Sequence, residues 1–216
     1  FKPECCYDPL AQTGAKWARC QTGWNRCEKE RGRFDFAWLD EVVDNLLARG
    51  IEPWFNVGFG NKLYMPDAPS EAAVGCVPIL HGAEAVAAWQ RYLRELAAHF
   101  KGRVHRYEIW NEANHSGFWW PGKASPKEYT QLVAMSACEI KAVIPDAFIS
   151  ACCAGGASLF ILNAFREGIG EHIRAFAIHP YSTVPEFNNV QGIAALREQI
   201  RTYAPHVELW MGECGC

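Results

Sequence analysis

Two glutamates about a hundred residues apart each close a short apolar run: Glu112 in Tyr107-Glu-Ile-Trp-Asn-Glu112 and Glu213 in Val207-Glu-Leu-Trp-Met-Gly-Glu213. Such a run ending in an acid reads as a buried parallel strand with a carboxylate at its carboxyl-terminal tip. Two acids so placed can put a proton donor and an anion on either side of one bond. Glycoside cleavage needs that pair, and when the carboxyls stand ~5–5.5 Å apart, with no water between them, it proceeds with retention at the anomeric carbon.

The elements that must position them alternate along the chain. Strand-like runs at 15–20, 51–57, 104–110, 147–151, 175–178 and 207–210 are separated by stretches with apolar residues three and four apart, such as Phe36, Leu39, Val42, Val43, Leu46 and Leu47. Val86, Trp89, Leu93, Leu96 and Phe100 mark a second helix, and two more run through Leu132–Val143 and Ile193–Ile200. Gly50 and Gly102 sit where helix C-caps belong, Ser125-Pro126 and Asp35 where helices start, and Pro145-Asp146 where one ends. Six such strand–helix repeats demand a parallel sheet, open or closed into a (β/α)8 TIM barrel. Arg19, Asn56, Asn111 with Glu112, His179 with Tyr181, and Glu213 fall at or beyond the carboxyl ends of different strands. In a barrel they share one mouth, whereas an open sheet would scatter some of them.

Composition excludes several classes of function. In 216 residues, a hydrophobic fraction of 50% and a formal net charge of −3 point to one core-forming domain over 1–216 and argue against a nucleic-acid partner. No apolar run reaches membrane-helix length, and the opening Phe1-Lys-Pro-Glu-Cys has no signal-peptide core, so a soluble chain with no membrane partner is expected. Ala154-Gly-Gly-Ala-Ser158 has the wrong spacing for a dinucleotide, and no cofactor is expected. The ten cysteines form no zinc-type C-x-x-C pair, so no metal site is expected, and reduced, cytoplasmic thiols are the default reading. Among nine tryptophans, Trp17, Trp38 and Trp89 lie in periodic apolar patterns that predict core, while Trp24, Trp54, Trp119 and Trp120 fall where rings can line a pocket.

Trp110-Asn-Glu112 followed by Gly212-Glu213 closing a later strand resembles clan A glycoside hydrolases, and within the clan most resembles family 39, which contains β-xylosidases and α-L-iduronidases. Gly14-Ala-Lys-Trp-Ala-Arg-Cys-Gln-Thr-Gly-Trp24, Phe34-Asp-Phe-Ala-Trp-Leu-Asp40, Gly50-Ile-Glu-Pro-Trp54, Phe118-Trp-Trp-Pro121 and His179-Pro-Tyr181 are similar to that family as well. The resemblance implies a (β/α)8 barrel in which Arg19 belongs to strand two, Glu112 to strand four, His179 to strand six and Glu213 to strand seven. Strands one and eight are then missing, so the barrel is expected to be incomplete and the chain a fragment of a longer one. An open barrel exposes strand edges and apolar surface, which a homo-oligomer or another chain would cover.

On this reading Glu112 is the general acid/base and Glu213 the nucleophile of a retaining enzyme acting on oligosaccharides or glycosides, xylosides first. Asn111 hydrogen-bonds the sugar 2-hydroxyl, Arg19 and the Tyr181 hydroxyl hold Glu213 ionised, and His179 contacts substrate or orients a carboxylate. Trp54, Trp119, Asn56 and Asn61 are candidates for lining the sugar site. Glu108 and Glu208 are expected to be structural, and the run Glu28-Lys-Glu-Arg-Gly-Arg33 a solvated loop. The alternatives are a non-catalytic sugar-binding barrel fragment and, more remotely, a thiol oxidoreductase.

Overall fold

A computed structural model describes residues 3–156, 158–184 and 190–215. Its main sheet contains six parallel strands in chain order: β1 (Trp17–Gln21), β4 (Glu52–Val57), β5 (Arg106–Ile109), β6 (Phe148–Ala154), β7 (Ala175–His179) and β8 (Glu208–Met211). Each strand pairs with the next in sequence, as repeated strand–helix units require. The sheet curls into an incomplete (β/α)8 barrel, and β1 and β8 form its two edges. Those edges approach at the amino-terminal end, where Trp17 of β1 stacks on Trp210 of β8 with ring centroids 5.8 Å apart.

Strand alternation divides side chains between two environments. Outward residues, among them Phe55, Val57, Tyr107, Ile109, Ile149, Cys153, Phe176 and Ile178, join the large core beneath the helices. Inward residues include Arg19, Trp54, Asn56, Glu108, Cys152, Ala177 and His179. Most of the inner polar groups stand near the carboxyl ends, and a small apolar layer of Trp54, Cys152, Ala177 and Trp210 lies below them.

The helices arise where the apolar spacing predicts them. α3 (Ala37–Leu47) buries Leu39, Val43 and Leu46; α4 (Ala83–His99) buries Trp89, Tyr92, Leu93 and Leu96; α5 (Pro126–Val143) buries Tyr129, Leu132, Val133 and Ile140; and α7 (Val190–Tyr203) buries Leu196 and Ile200. Ser125 caps α5 by accepting a hydrogen bond from the Glu128 N–H, with Pro126 in the first turn. Gly50 and Gly102 adopt φ values of 70° and 81° after α3 and α4, a left-handed conformation that costs glycine little. Asp35 caps less directly: its Oδ1 accepts from the Ala37 N–H, one residue further out than the N-cap.

Several elements depart from the sequence expectation. Short helices α1 (Tyr7–Gln12), α2 (Trp24–Cys27) and α6 (Leu159–Arg166) are too brief for a periodic signal. The charged run at 28–33 forms an antiparallel hairpin, β2 (Glu28–Glu30) with β3 (Arg33–Phe34), and Glu28 is fully buried. Its carboxylate accepts from the Trp24 indole, the Gly32 N–H and the Tyr64 hydroxyl, which replace the water a solvated loop would have supplied. Trp17, expected in the core, is half exposed because its strand is an edge. No helix among the described residues is long and apolar enough to cross a membrane.

Candidate active site

The polar cluster inside the sheet is organised by Arg19. This guanidinium, projecting inward from β1, donates to Glu108 Oε1 at 2.8 Å, to Asn111 Oδ1 at 2.8 Å and to Glu213 Oε1. It thereby ties β1 to β5 and the loop after it, and to the segment after β8. Asn56 of β4 donates to Glu108 Oε1 at 2.9 Å and to the Trp110 carbonyl at 2.6 Å, so its amide supports the same ring of residues.

The chain leaves β5 through an unusual backbone path. Trp110 and Glu112 both have positive φ, 68° and 46°, with Asn111 between them. Left-handed conformations cost non-glycine residues ~1 kcal/mol or more and persist where surrounding contacts fix them. Here Trp110 is held at three points: its N–H donates to the Val57 carbonyl, its carbonyl accepts from Asn56, and its indole donates to the Phe118 carbonyl at 2.7 Å. The result turns Asn111 toward Arg19 and Glu112 toward His179.

His179, at the end of β7 and almost fully buried, joins the two candidate acids. Its Nδ1 lies 3.0 Å from Glu112 Oε1 and 3.7 Å from Glu213 Oε2, while its Nε2 lies 3.1 Å from Cys152 Sγ. An oxygen of Glu112, an oxygen of Glu213 and a nitrogen of His179 all fall within 4.8 Å of one another. The Tyr181 hydroxyl donates to Glu213 Oε2 at 2.9 Å, completing, with Arg19, a pair of donors on that carboxylate. Gly212 precedes Glu213 for a steric reason: a Cβ there would meet His179 Nε2 at 2.9 Å.

Burial and charge set the proton affinities. Burial pushes the Glu108 carboxyl up to about 7, against the pull of Arg19 and Asn56, with the charge of Glu213 adding to the rise. Arg19 shows the opposite balance: burial disfavours its charge, but the attraction of its carboxylate partners outweighs that and raises it. One cation shared by two carboxylates is best matched when Glu108 holds a proton. Burial lowers His179, so its ring tends to be neutral, although the Glu112 hydrogen bond opposes the shift. The hydrogen bond to Glu213 raises the Tyr181 hydroxyl.

The residues singled out from the sequence that meet here are Arg19, Asn56, Asn111, Glu112, His179, Tyr181 and Glu213. The two tryptophans do not join them. Trp54 points inward but one layer lower, edge-on to Trp210 with centroids 5.0 Å apart. Trp119 is fully buried between Trp110 and Tyr129, outside the mouth, and Trp24 likewise lies in the outer core. Asn61 is buried against the hairpin, donating to the Glu28 carbonyl. Glu208 lies at the amino end of β8, where it accepts from the Trp210 indole.

Two further residues complete the cluster. Glu108, read from the sequence as structural, lies fully buried directly beneath the acids and shares Arg19 with Glu213. Its place two residues before Trp110 on the inward face of β5 was the available signal. Cys152 read as a small hydrophobe, and only the fold brings its sulfur to His179. Two groups could present three ligand-type atoms to a cation, Glu108 with Cys152 and His179, and Glu112 with His179 and Glu213. In both, a carboxylate is already matched by the Arg19 guanidinium, so the donor set suits proton chemistry better than a resident divalent ion.

The chain and its fold are similar to those of several glycoside hydrolases. The chain is 29% identical over 123 residues to a β-xylosidase of Caldicellulosiruptor saccharolyticus and 26% identical over 125 residues to one of Geobacillus stearothermophilus; these alignments cover 51% and 52% of the chain but only 23% of each relative. Its fold matches a family 39 glycoside hydrolase from Bacteroides cellulosilyticus WH2 with a TM-score of 0.80 at 20% identity, over 99% of this chain and 46% of that one. A family 1 β-glucosidase from Thermotoga maritima matches with a TM-score of 0.67 at 17% identity, over 97% of this chain and 65% of that one. The sequence pattern of Glycosyl hydrolases family 39 matches residues 18–178, from Arg19 and its strand through Asn111-Glu112 to the residue before His179. On that match, which runs through five of the six strands, the chain belongs to glycosyl hydrolase family 39.

Proposed function

We propose that the protein hydrolyses β-glycosides, xylosides foremost, by double displacement with retention of anomeric configuration. The observation that carries this reading is the spacing of the acids: oxygens of Glu112 and Glu213 lie within 4.8 Å of each other. Inverting enzymes need ~6.5–9.5 Å to admit a water between their carboxyls, whereas a nucleophile attacking the sugar directly needs the shorter gap.

Each carboxylate has surroundings suited to one role. Glu213 accepts hydrogen bonds from Arg19 and Tyr181, the environment of an anion that must attack the anomeric carbon and then leave it. Glu112 faces neutral His179 rather than the guanidinium and supplies a proton to the departing oxygen. After departure the same carboxylate takes a proton from the water that releases the sugar. Asn111, fixed by Arg19 through its carbonyl oxygen, has its amide N–H groups left to bind a substrate hydroxyl. The preference for xylosides rests on the two β-xylosidase relatives.

The test is hydrolysis of an aryl β-xyloside with product anomers followed by NMR. Glu112→Gln and Glu213→Gln should each lower kcat by about 10²- to 10⁴-fold, and the first product of the native protein should be the β-anomer. Undiminished hydrolysis by either variant, or an inverted first product, overturns the proposal.

A further inference from the structure

Cys152 is a buried thiol that the double-displacement scheme does not use, yet its sulfur lies 3.1 Å from Nε2 of the histidine joining the two acids. Its backbone is fixed on β6 by the Tyr129 hydroxyl, which accepts from the Cys152 N–H at 2.7 Å and donates to the Ile109 carbonyl. Burial, reinforced by nearby Glu108, holds the thiol well above its ordinary range, so the sulfur carries its proton. A protonated thiol against an imidazole nitrogen is a donor facing an acceptor. In that arrangement Nε2 has no hydrogen and the proton of the neutral ring is on Nδ1, the nitrogen that faces oxygens of Glu112 and Glu213.

We propose that Cys152 is a positioning residue: by donating its S–H to His179 Nε2 it fixes the tautomer whose Nδ1–H faces Glu112, and so decides which oxygen of Glu112 carries the catalytic proton. The inference rests on the acid/base role given to Glu112 above. With Nδ1–H donating to Glu112 Oε1, that oxygen is an acceptor, and the acidic hydrogen resides on Oε2, free to face a leaving group. In the other tautomer the Nδ1 lone pair would face Oε1 and draw the acidic hydrogen toward the ring, away from substrate. Nδ1–H also lies 3.7 Å from Glu213 Oε2, so the same tautomer presents a donor, not a lone pair, to the second carboxylate.

The groups facing the imidazole are Glu112 from the β5 loop, Glu213 after β8, Cys152 from β6 and the Arg19 charge from β1, with Glu108 adjacent to the thiol. Gly212 closes the remaining side: the absence of a Cβ there leaves room for Nε2 and its contact with sulfur.

The direct test is nitrogen NMR of native protein labelled with ¹⁵N-histidine at neutral pH, with the His179 signals assigned by their loss in His179→Gln. A pyridine-type Nε2 and a protonated Nδ1 are expected; a protonated Nε2 overturns the proposal without any variant having to fold. Cys152→Ser keeps a donor and should keep this pattern, whereas Cys152→Ala should give a mixture of tautomers. For aryl xyloside hydrolysis, Ala should lower kcat about five- to tenfold, the worth of one hydrogen bond, with KM little changed and the basic limb of the pH profile displaced, and Ser should recover most of that loss. An unchanged tautomer in Cys152→Ala also overturns the proposal. If the tautomer behaves as expected while Glu112→Gln hydrolyses normally, the fault lies in the role assigned to Glu112 and not in the thiol–imidazole contact.

Discussion

Burial sets the proton affinity of Glu108, and the Arg19 charge it shares with Glu213 offsets that effect only in part. The folded-state proton affinity of Glu108, raised to about 7 from an ordinary carboxyl value, means the folded protein binds that proton more tightly than the unfolded chain does. Stability from this group is therefore fully present below the unfolded carboxyl range and is lost as pH rises from about 4.5 toward 7. A Glu108→Gln variant has no such titration. Thermal midpoints measured across this window should show the variant gaining on the native protein as pH rises, and a constant difference would contradict a carboxyl raised by burial. The sequence displays Glu108 and Glu112 equally plainly. It cannot tell them apart by alternation alone, because Trp110 and Glu112 leave the strand in left-handed conformations that reset the direction of the chain. The acids and their asparagine were legible since each follows a strand end, and Arg19 because a charge within an apolar strand needs a partner. Cys152 was not, because nothing in its own neighbourhood distinguishes a sulfur in a core from one against an imidazole.

Among the elements, the tip of β8 shows how little room the site leaves. Gly212 N–H donates to the Ile178 carbonyl, holding the last turn of chain before Glu213 against β7. A Cβ at this position would collide with His179 Nε2 and crowd Ala177. Gly212→Ala should destabilise the fold by ~1–3 kcal/mol through overpacking, and should lower turnover by displacing both His179 and Glu213. Denaturant unfolding gives the first quantity and aryl xyloside kinetics the second; a variant as stable and active as the native protein would show that the strand end can yield. The long helices and their caps were readable from apolar spacing, Ser125-Pro126 and two glycines, because those signals are local. The hairpin at 28–34 was hidden by its charges. Glu28 is buried only because Trp24, Gly32 and Tyr64 converge on it, and that convergence is a property of the folded chain. Trp54 and Trp119 misled for a related reason: a strand end or loop can place a ring at the mouth, one layer below it, or behind it.

For the molecule as a whole, among the described residues β1 and β8 each have a partner on one side only, so the sheet carries two open backbone edges. The outer flank of β1 adds an apolar groove lined by Tyr7, Leu10, Ala18, Leu39, Val42 and Leu46, and Met211 on β8 is half exposed. Unpaired edges beside apolar surface recruit further strands. The 216-residue chain should therefore associate as its concentration rises, measured by light scattering during size-exclusion chromatography; a strictly monomeric profile at high concentration would mean the edges are protected by their own side chains. Parallel order and the shared mouth were legible in the sequence because six repeats with chemistry at their tips leave few other topologies. How closely the two edges approach was not, since curl depends on the twist accumulated across all six strands.

Where those edges draw together, Trp17 lies face to face with Trp210, which in turn stacks on Phe148 and meets Trp54 edge-on. Four rings contributed by four strands thus span the seam, and separating the edges would uncover the stacked faces of two indoles that are already partly exposed. The stacked pair accordingly reports on how the two edges meet, at the end of the sheet opposite the carboxylates, and a Trp17→Phe comparison would isolate its share of the emission of nine tryptophans.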